Sequence, residues 1–156
     1  MTIEIERKFL VDGDGWRDGV TGSRRIRQAY LSKGGAASVR IRLVDEREAR
    51  LTVKAAGSVD GAALARAEFE YPVPFEHAQA MLDLRIGRII EKTRYLVPAG
   101  NGRVWEVDVF DGDHEGLILA EIELDAADEH VVLPDWIGRE VTDDPGYSNA
   151  VLAQVG

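Results

Sequence analysis

The chain has 156 residues, 19 Lys and Arg against 28 Asp and Glu, no Cys, and a formal net charge of −9. Zero cysteine excludes disulfides, thiolate metal sites and a Cys nucleophile. No apolar run approaches the ~20 residues of a membrane span, and the negative charge argues against a broad basic surface for nucleic acid. The length and 45% hydrophobic content predict one domain over residues 1–156 that can bury its own core. Glu4, Glu6, Arg7 and Lys8 stand where a secretory leader needs an apolar stretch, so the expected setting is the cytoplasm.

Glycine clusters punctuate the chain at 13–15, 34–35, 57–61, 100–102 and 112–116. The runs between them are rich in Val, Ile, Tyr and Arg, and read as strands joined by short turns. Strands are predicted at 2–10, 24–31, 37–45, 48–56, 64–73, 88–97, 103–110 and 117–125. Short turns favour antiparallel neighbours, because parallel ones need a long crossover. Three segments read as helical. Asp12 to Val20 has room for one short turn. Residues 74–83 start on Pro74 and space Phe75, Ala78 and Leu82 at helical intervals. Residues 144–152 open with Asp144 as a cap and Pro145 behind it.

Residues two apart in a strand face the same way. Seven of the eight predicted strands carry charge on one face: Glu4, Glu6 and Lys8; Arg40 and Arg42; Lys54; Glu68 and Glu70; Lys92 and Arg94; Glu106 and Asp108; Glu121 and Glu123. A solvated sheet face is the ordinary explanation for one such strand. Here most pairs carry a single sign, although like charges repel and a solvated surface mixes signs. Concentrated carboxylates suit hard divalent cations. Concentrated guanidinium and ammonium groups suit phosphate oxygens.

Closing the eight strands into an antiparallel barrel removes both sheet edges and turns the charges inward. The expected fold is therefore α+β dominated by β, a closed tunnel with a charged interior and a few covering helices. Its outside would be apolar, with Ile3, Ile5, Val39, Ile41, Leu51, Val53, Phe69, Trp105, Val107 and Ile122 needing cover. The helices near 75–84 and 145–154 can supply part of that cover, and a second subunit more, which predicts a homodimer.

Glu4-Ile5-Glu6-Arg7-Lys8 resembles the ExExK signature of the CYTH superfamily, the triphosphate tunnel metalloenzymes. It is followed in the family's order by Val39-Arg40-Ile41-Arg42, Leu51-Thr52-Val53-Lys54, Glu68-Phe69-Glu70, Glu91-Lys92-Thr93-Arg94-Tyr95, Trp105 to Phe110 and Ala120-Glu121-Ile122-Glu123-Leu124. The ending Trp136 to Thr142, then Tyr147-Ser148-Asn149, is similar to the short bacterial branch. The resemblance implies hydrolysis of a triphosphate with Mg²⁺ or Mn²⁺, two ions per site. It implies metal ligation by Glu4, Glu6, Glu121 and Glu123, with Glu123 nearest the attacked phosphate. Lys8, Arg40, Arg42, Lys54 and Arg94 would cradle the triphosphate, supported by Glu68, Glu70 and Asp108. Lys92 and Tyr30 stand where short bacterial tripolyphosphatases carry a Lys and a Tyr facing the tunnel, and join Glu123 as catalytic candidates.

The leading expectation is inorganic triphosphate cleaved to pyrophosphate and phosphate. The alternatives are an organic triphosphate hydrolase or cyclase, or a binding module without catalysis. A pure polyanion binder has no use for so many acids, and no set of aromatic groups is identifiable to grip a base or thiazolium. His77, His114 and His130 show no ligand spacing and read as surface residues, and no GxxxxGK[ST] loop is present. Trp16, Trp105 and Trp136 read as core or barrel-covering aromatics.

Overall fold

The computed structural model describes residues 2–59 and 65–153. Sequence expectations at Gly61, Leu64 and Gln154 lie outside the described residues. Nine strands form: β1 (Thr2–Val11), β2 (Gly22–Ser32), β3 (Ala37–Val44), β4 (Glu48–Ser58), β5 (Ala65–Val73), β6 (Ile86–Gly100), β7 (Arg103–Phe110), β8 (Ile118–Glu123) and β9 (Ile137–Glu140). Helix α1 spans Phe75–Leu82, and a single turn, α2, spans Asn149–Leu152. The first eight strands close as predicted, in the order β1-β5-β4-β3-β2-β6-β7-β8 and back to β1, every neighbour antiparallel.

The ninth strand has no counterpart in the sequence reading. One side of β1 is divided between two partners: Thr2 to Ile5 pair with β5, and Phe9 and Val11 pair with β9. At the change-over the Lys8 carbonyl accepts the Val141 amide (2.8 Å), and the Lys8 amide donates to Thr142 Oγ1 (3.0 Å). Arg7 clamps this strap from outside with a two-pronged bond to Glu140 at 2.7 and 2.9 Å. Four residues with a Gly inside do not read as a strand. Gly138 is there because a Cβ would sit 3.1 Å from the Leu10 carbonyl and from Asp12 Oδ1.

The outward faces are apolar, as expected, and are covered in sections. Helix α1 lays Ala78 and Leu82 over Ala29, Ile41, Leu43 and Ala49 of β2, β3 and β4. The 3₁₀ turn Gly15–Gly19, predicted as a short helical turn, puts Trp16 against Val97, Trp105, Val107 and Ile122. Trp105 is wholly buried between Phe9 and Trp136, with ring centres 5.6 and 5.7 Å away and edge-on geometry.

The C-terminal segment departs from its expected place. Instead of one helix covering the outside, it breaks into a 3₁₀ turn, Pro145–Tyr147, capped by Asp144, and then α2, capped by Ser148. Ser148 itself is extended, so the two pieces point differently. Leu152 and Ala153 pack on Tyr30, Ile90, Phe110 and Leu119, which share the inward parity of Gln28, Lys92, Asp108 and Glu121. The segment therefore plugs one end of the barrel. His114, read as a surface residue, meets the Leu152 carbonyl through Nε2 at 2.6 Å, and the Arg88 amide holds the Ala153 carbonyl at 2.7 Å.

Candidate active site

The inward faces enclose a cavity of about 770 Å³. Glu4, Glu6, Lys8, Tyr30, Arg40, Arg42, Lys54, Glu68, Glu70, Arg94, Glu121 and Glu123 all line it. Lys92 and Asp108 do not: they sit behind the wall at 0% and 1% exposure.

Sheet order sorts these charges. The carboxylates occupy four adjacent strands: Glu106 and Asp108 on β7, Glu121 and Glu123 on β8, Glu4 and Glu6 on β1, Glu68 and Glu70 on β5. The basic groups occupy the other arc: Lys54 on β4, Arg40 and Arg42 on β3, Lys92 and Arg94 on β6. Lys8 and Arg66 are basic lining residues on the acidic arc. In the chain the acidic strands are scattered. The β5–β1 seam brings them together.

Most of the basic groups are held by acids. Arg94 grips Asp108 with two bonds (2.8 and 2.9 Å) and Glu106 with a third (3.2 Å). Lys92 shares Asp108 Oδ2 with Arg94, at 2.7 Å, and lies 5.3 Å from the centre of the Phe110 ring. Lys54 bonds Glu4 and stands 3.7 Å from Glu6. Lys8 stands 3.6 Å from Glu121 and donates to the Tyr147 carbonyl at 3.1 Å. Arg40 and Arg42 differ. Their hydrogen-bond partners are neutral: the Thr52 hydroxyl at 3.4 Å for Arg40 and the Gln28 amide oxygen at 2.7 Å for Arg42. Among the described residues neither has a carboxylate within ion-pair distance.

The acids share protons. Burial, with Glu121 and Glu4 nearby, pushes Glu6 up to about 8. Burial, with a hydrogen bond and charge from Glu4, pushes Glu68 up to about 8. Their partners move the other way. Burial opposes ionisation of Glu121, but Lys8, Arg94 and Lys92 hold it well below the carboxylate range. Burial likewise opposes ionisation of Glu4, but Glu68 and Lys54 hold it down. Glu6 with Glu121 and Glu68 with Glu4 are thus acid–carboxylate pairs, each organised around one proton. Glu123 is raised by burial and by Glu4, Glu106 and Glu121. On the basic side, burial pushes Lys92 down to about 8 despite Asp108, and burial with Arg40 and Arg94 pushes Arg42 down to about 9.

Among the described residues no three acids converge on one point that an ion could occupy. The Lys54 ammonium stands between Glu4 and Glu6 instead. The donor set nevertheless fits a hard cation: it is oxygen only, and like charges are crowded so closely that protons and ammonium groups must offset them.

Residues 2–150 match the CYTH domain family. The chain belongs to the CYTH family. It is 43% identical to an inorganic triphosphatase of Acetivibrio thermocellus, over 99% of this chain and 95% of that protein. It is 36% identical to an inorganic triphosphatase of Nitrosomonas europaea, over 96% of each. A crystallised inorganic triphosphatase superposes with a TM-score of 0.70 at 33% identity, covering 98% of this chain and 99% of that one. CYTH triphosphate tunnel metalloenzymes use divalent metals.

Four contacts in the CYTH site escaped the sequence reading. Gln28 orients Arg42, and Thr52 bridges Arg40 to Glu70. Glu106, counted by parity without a role, bonds Arg94. Asn149 Oδ1 faces Lys92 Nζ at 3.5 Å. Parity could have flagged the first two, since Gln28 is two before Tyr30 and Thr52 two before Lys54. The Tyr147-Ser148-Asn149 ending carried the family resemblance, but nothing in the sequence pointed to a contact between Asn149 and Lys92.

Proposed function

We propose that this chain is a divalent-metal-dependent triphosphatase that cleaves inorganic triphosphate to pyrophosphate and phosphate in its plugged barrel. The observation that carries the reading is the pair Arg40 and Arg42, guanidinium groups without a carboxylate at ion-pair distance among the described residues, facing a wall of carboxylates across one cavity. Free guanidinium groups bind phosphate oxygens as forks. Lys8 and Lys54 complete the cradle when they leave their carboxylates for the substrate, and Arg94 supports it from its anchored position on Asp108.

Glu4, Glu6, Glu121 and Glu123 would hold the cation, Mg²⁺ or Mn²⁺, two ions to a site. When bound, it neutralises charge on the triphosphate and acidifies the attacking water. Around that chemistry the chain's own groups act by charge and position. Glu6 and Glu68 give up their protons as positive charge arrives. Glu123 has a raised proton affinity and a place on the cavity wall, which suits it to orient and deprotonate water for in-line attack. Lys92 adds positive field behind Arg94, and Tyr30 borders the plugged end.

Tyr30 is the one aromatic among the described lining residues, and it is 7% exposed. The wall therefore lacks the broad apolar platform that a nucleobase or thiazolium would need, which supports the inorganic substrate over an organic one. We further place the protein in the cytoplasm as a single tunnel domain without nucleic-acid partners. We pair it as a homodimer through the outer face where Ile3, Phe69 and Tyr71 are exposed. The deciding experiment is phosphate release from inorganic triphosphate, ATP and thiamine triphosphate with Mg²⁺ and with Mn²⁺. Inorganic triphosphate should be turned over fastest and only with metal. Binding without release from any of them would make the protein a binding module.

A further inference from the structure

Gln28 is wholly buried on β2, where the strand register sets it between Arg42 of β3 and Ile90 of β6. Its Oε1 accepts from Arg42 Nε at 2.7 Å, while its Nε2 has no partner. The orientation of the amide follows from chemistry: Arg Nε can only donate, so turning the amide over would set two donors face to face. A buried amide with one end unsatisfied gains little for stability alone, since the one bond it makes to Arg42 is offset by its own unpaired N–H groups.

What the amide does differently from its neighbours is electrical. Arg94, Lys92, Lys54 and Lys8 are each steadied by a carboxylate, which also cancels their charge. Gln28 steadies Arg42 through a neutral oxygen. The bond uses one of the five guanidinium N–H groups and leaves four for a ligand. Arg42 keeps its full charge next to Arg40 and Arg94, which with burial push it down only to about 9, so it remains cationic at neutral pH.

We propose that Gln28 is a positioning residue that fixes the Arg42 fork toward the triphosphate while leaving its charge uncancelled. The proposal rests on the triphosphatase reading above. It makes the neutral character of position 28, more than its hydrogen bond, the determinant of substrate affinity.

The test is a comparison of wild type, Gln28→Met and Gln28→Glu as full chains. It follows thermal stability, dissociation constant and turnover with inorganic triphosphate and Mg²⁺. Gln28→Met removes the bond and keeps the length: KM should rise about tenfold, with kcat within about twofold and the melting temperature lowered by no more than a few degrees, because Arg42 Nε loses its acceptor while the unpaired amide N–H groups go too. Gln28→Glu keeps the bond and cancels the charge, and should raise KM further, by about a hundredfold. In an Arg42→Ala background Gln28→Met should cause no further rise, because the residue acts only through Arg42. Unchanged KM in Gln28→Met, or an equal rise with and without Arg42, overturns the proposal. A KM for Gln28→Glu no higher than that of Gln28→Met overturns the charge argument; should Gln28→Glu fail to fold, Gln28→Met and its double variant still decide whether the residue positions Arg42. Wild type that neither binds nor cleaves inorganic triphosphate overturns the functional reading itself and the proposal with it, an outcome visible before any variant is made.

Discussion

Arg40 and Arg42 on β3 reach the cavity with a hydroxyl and an amide for company, whereas Lys92 and Arg94 on β6 divide one carboxylate, Asp108, between them. Both pairs are basic residues two apart on a strand, and both face inward. The β6 pair is buried to 0% and 8% and its charge is largely spent inside the protein. The β3 pair is half-buried, and its charge remains available. A basic residue in a barrel wall is thus committed to architecture or to ligand by what its neighbouring strand offers. β7 offers β6 an Asp and a Glu, while β2 and β4 offer β3 a Gln and a Thr.

The sharpest way to break this contrast is Asp108→Asn. It leaves the buried Lys92 without a carboxylate and Arg94 with Glu106 alone, and should cost about 3–5 kcal/mol of folding stability, read by chemical denaturation. A loss below about 1 kcal/mol would show that the β6 pair is not architectural. Arg42→Ala makes the converse case. Its stability should stay within about 1 kcal/mol of wild type, while KM for inorganic triphosphate rises about 10–100-fold. An unaltered KM would remove Arg42 from the cradle.

Acidity tests the opposite arc. Glu6 and Glu68 are raised to about 8 from an ordinary value near 4.5. The stability they contribute is full below about pH 4.5 and is lost as pH rises through about 8, because the folded state binds more protons across that interval. Lys92, lowered to about 8, adds a slope of the opposite sign only above that pH. The metal-free protein should therefore melt several degrees lower at pH 8 than at pH 5.5. Added Mg²⁺ should raise the melting temperature most at pH 8, where it replaces lost protons. A flat profile, or equal Mg²⁺ stabilisation at both pH values, would refute the shared-proton description. The smallest expected effect is Tyr30→Phe. If Tyr30 only packs at the plugged end, kcat/KM falls less than about threefold with an unchanged pH profile; a shifted profile would give its hydroxyl a titrating role.

Turn residues and the runs between them located all eight barrel strands, and alternating charge gave the inward face of seven, because side-chain period is a local property of an extended chain. The same pattern selected the cavity-lining residues except where depth matters: Lys92 and Asp108 share the parity of Arg94 and Glu106 yet lie behind the wall. Parity tells which face a residue is on and not how far the neighbouring side chains cover it. Helix α1 was legible from its apolar spacing. The 145–154 segment was not, because its capping residues, Asp144 and Ser148, allow either one helix or two broken pieces, and packing inside the barrel end selected the second.

By itself, then, the sequence determined the eight barrel strands, the charged face of seven of them and the family to which the chain belongs. Tertiary structure alone decided which strands are neighbours, and with that the separation of an acidic arc from a basic one, the β9 strap, the plug, and the neutral partners of Arg40 and Arg42. The reason is physical. Periodicity is written into consecutive residues. The partner of a buried charge comes from a strand tens of residues away, and is settled only when the β5–β1 seam closes and the inward charges must be offset within one confined volume.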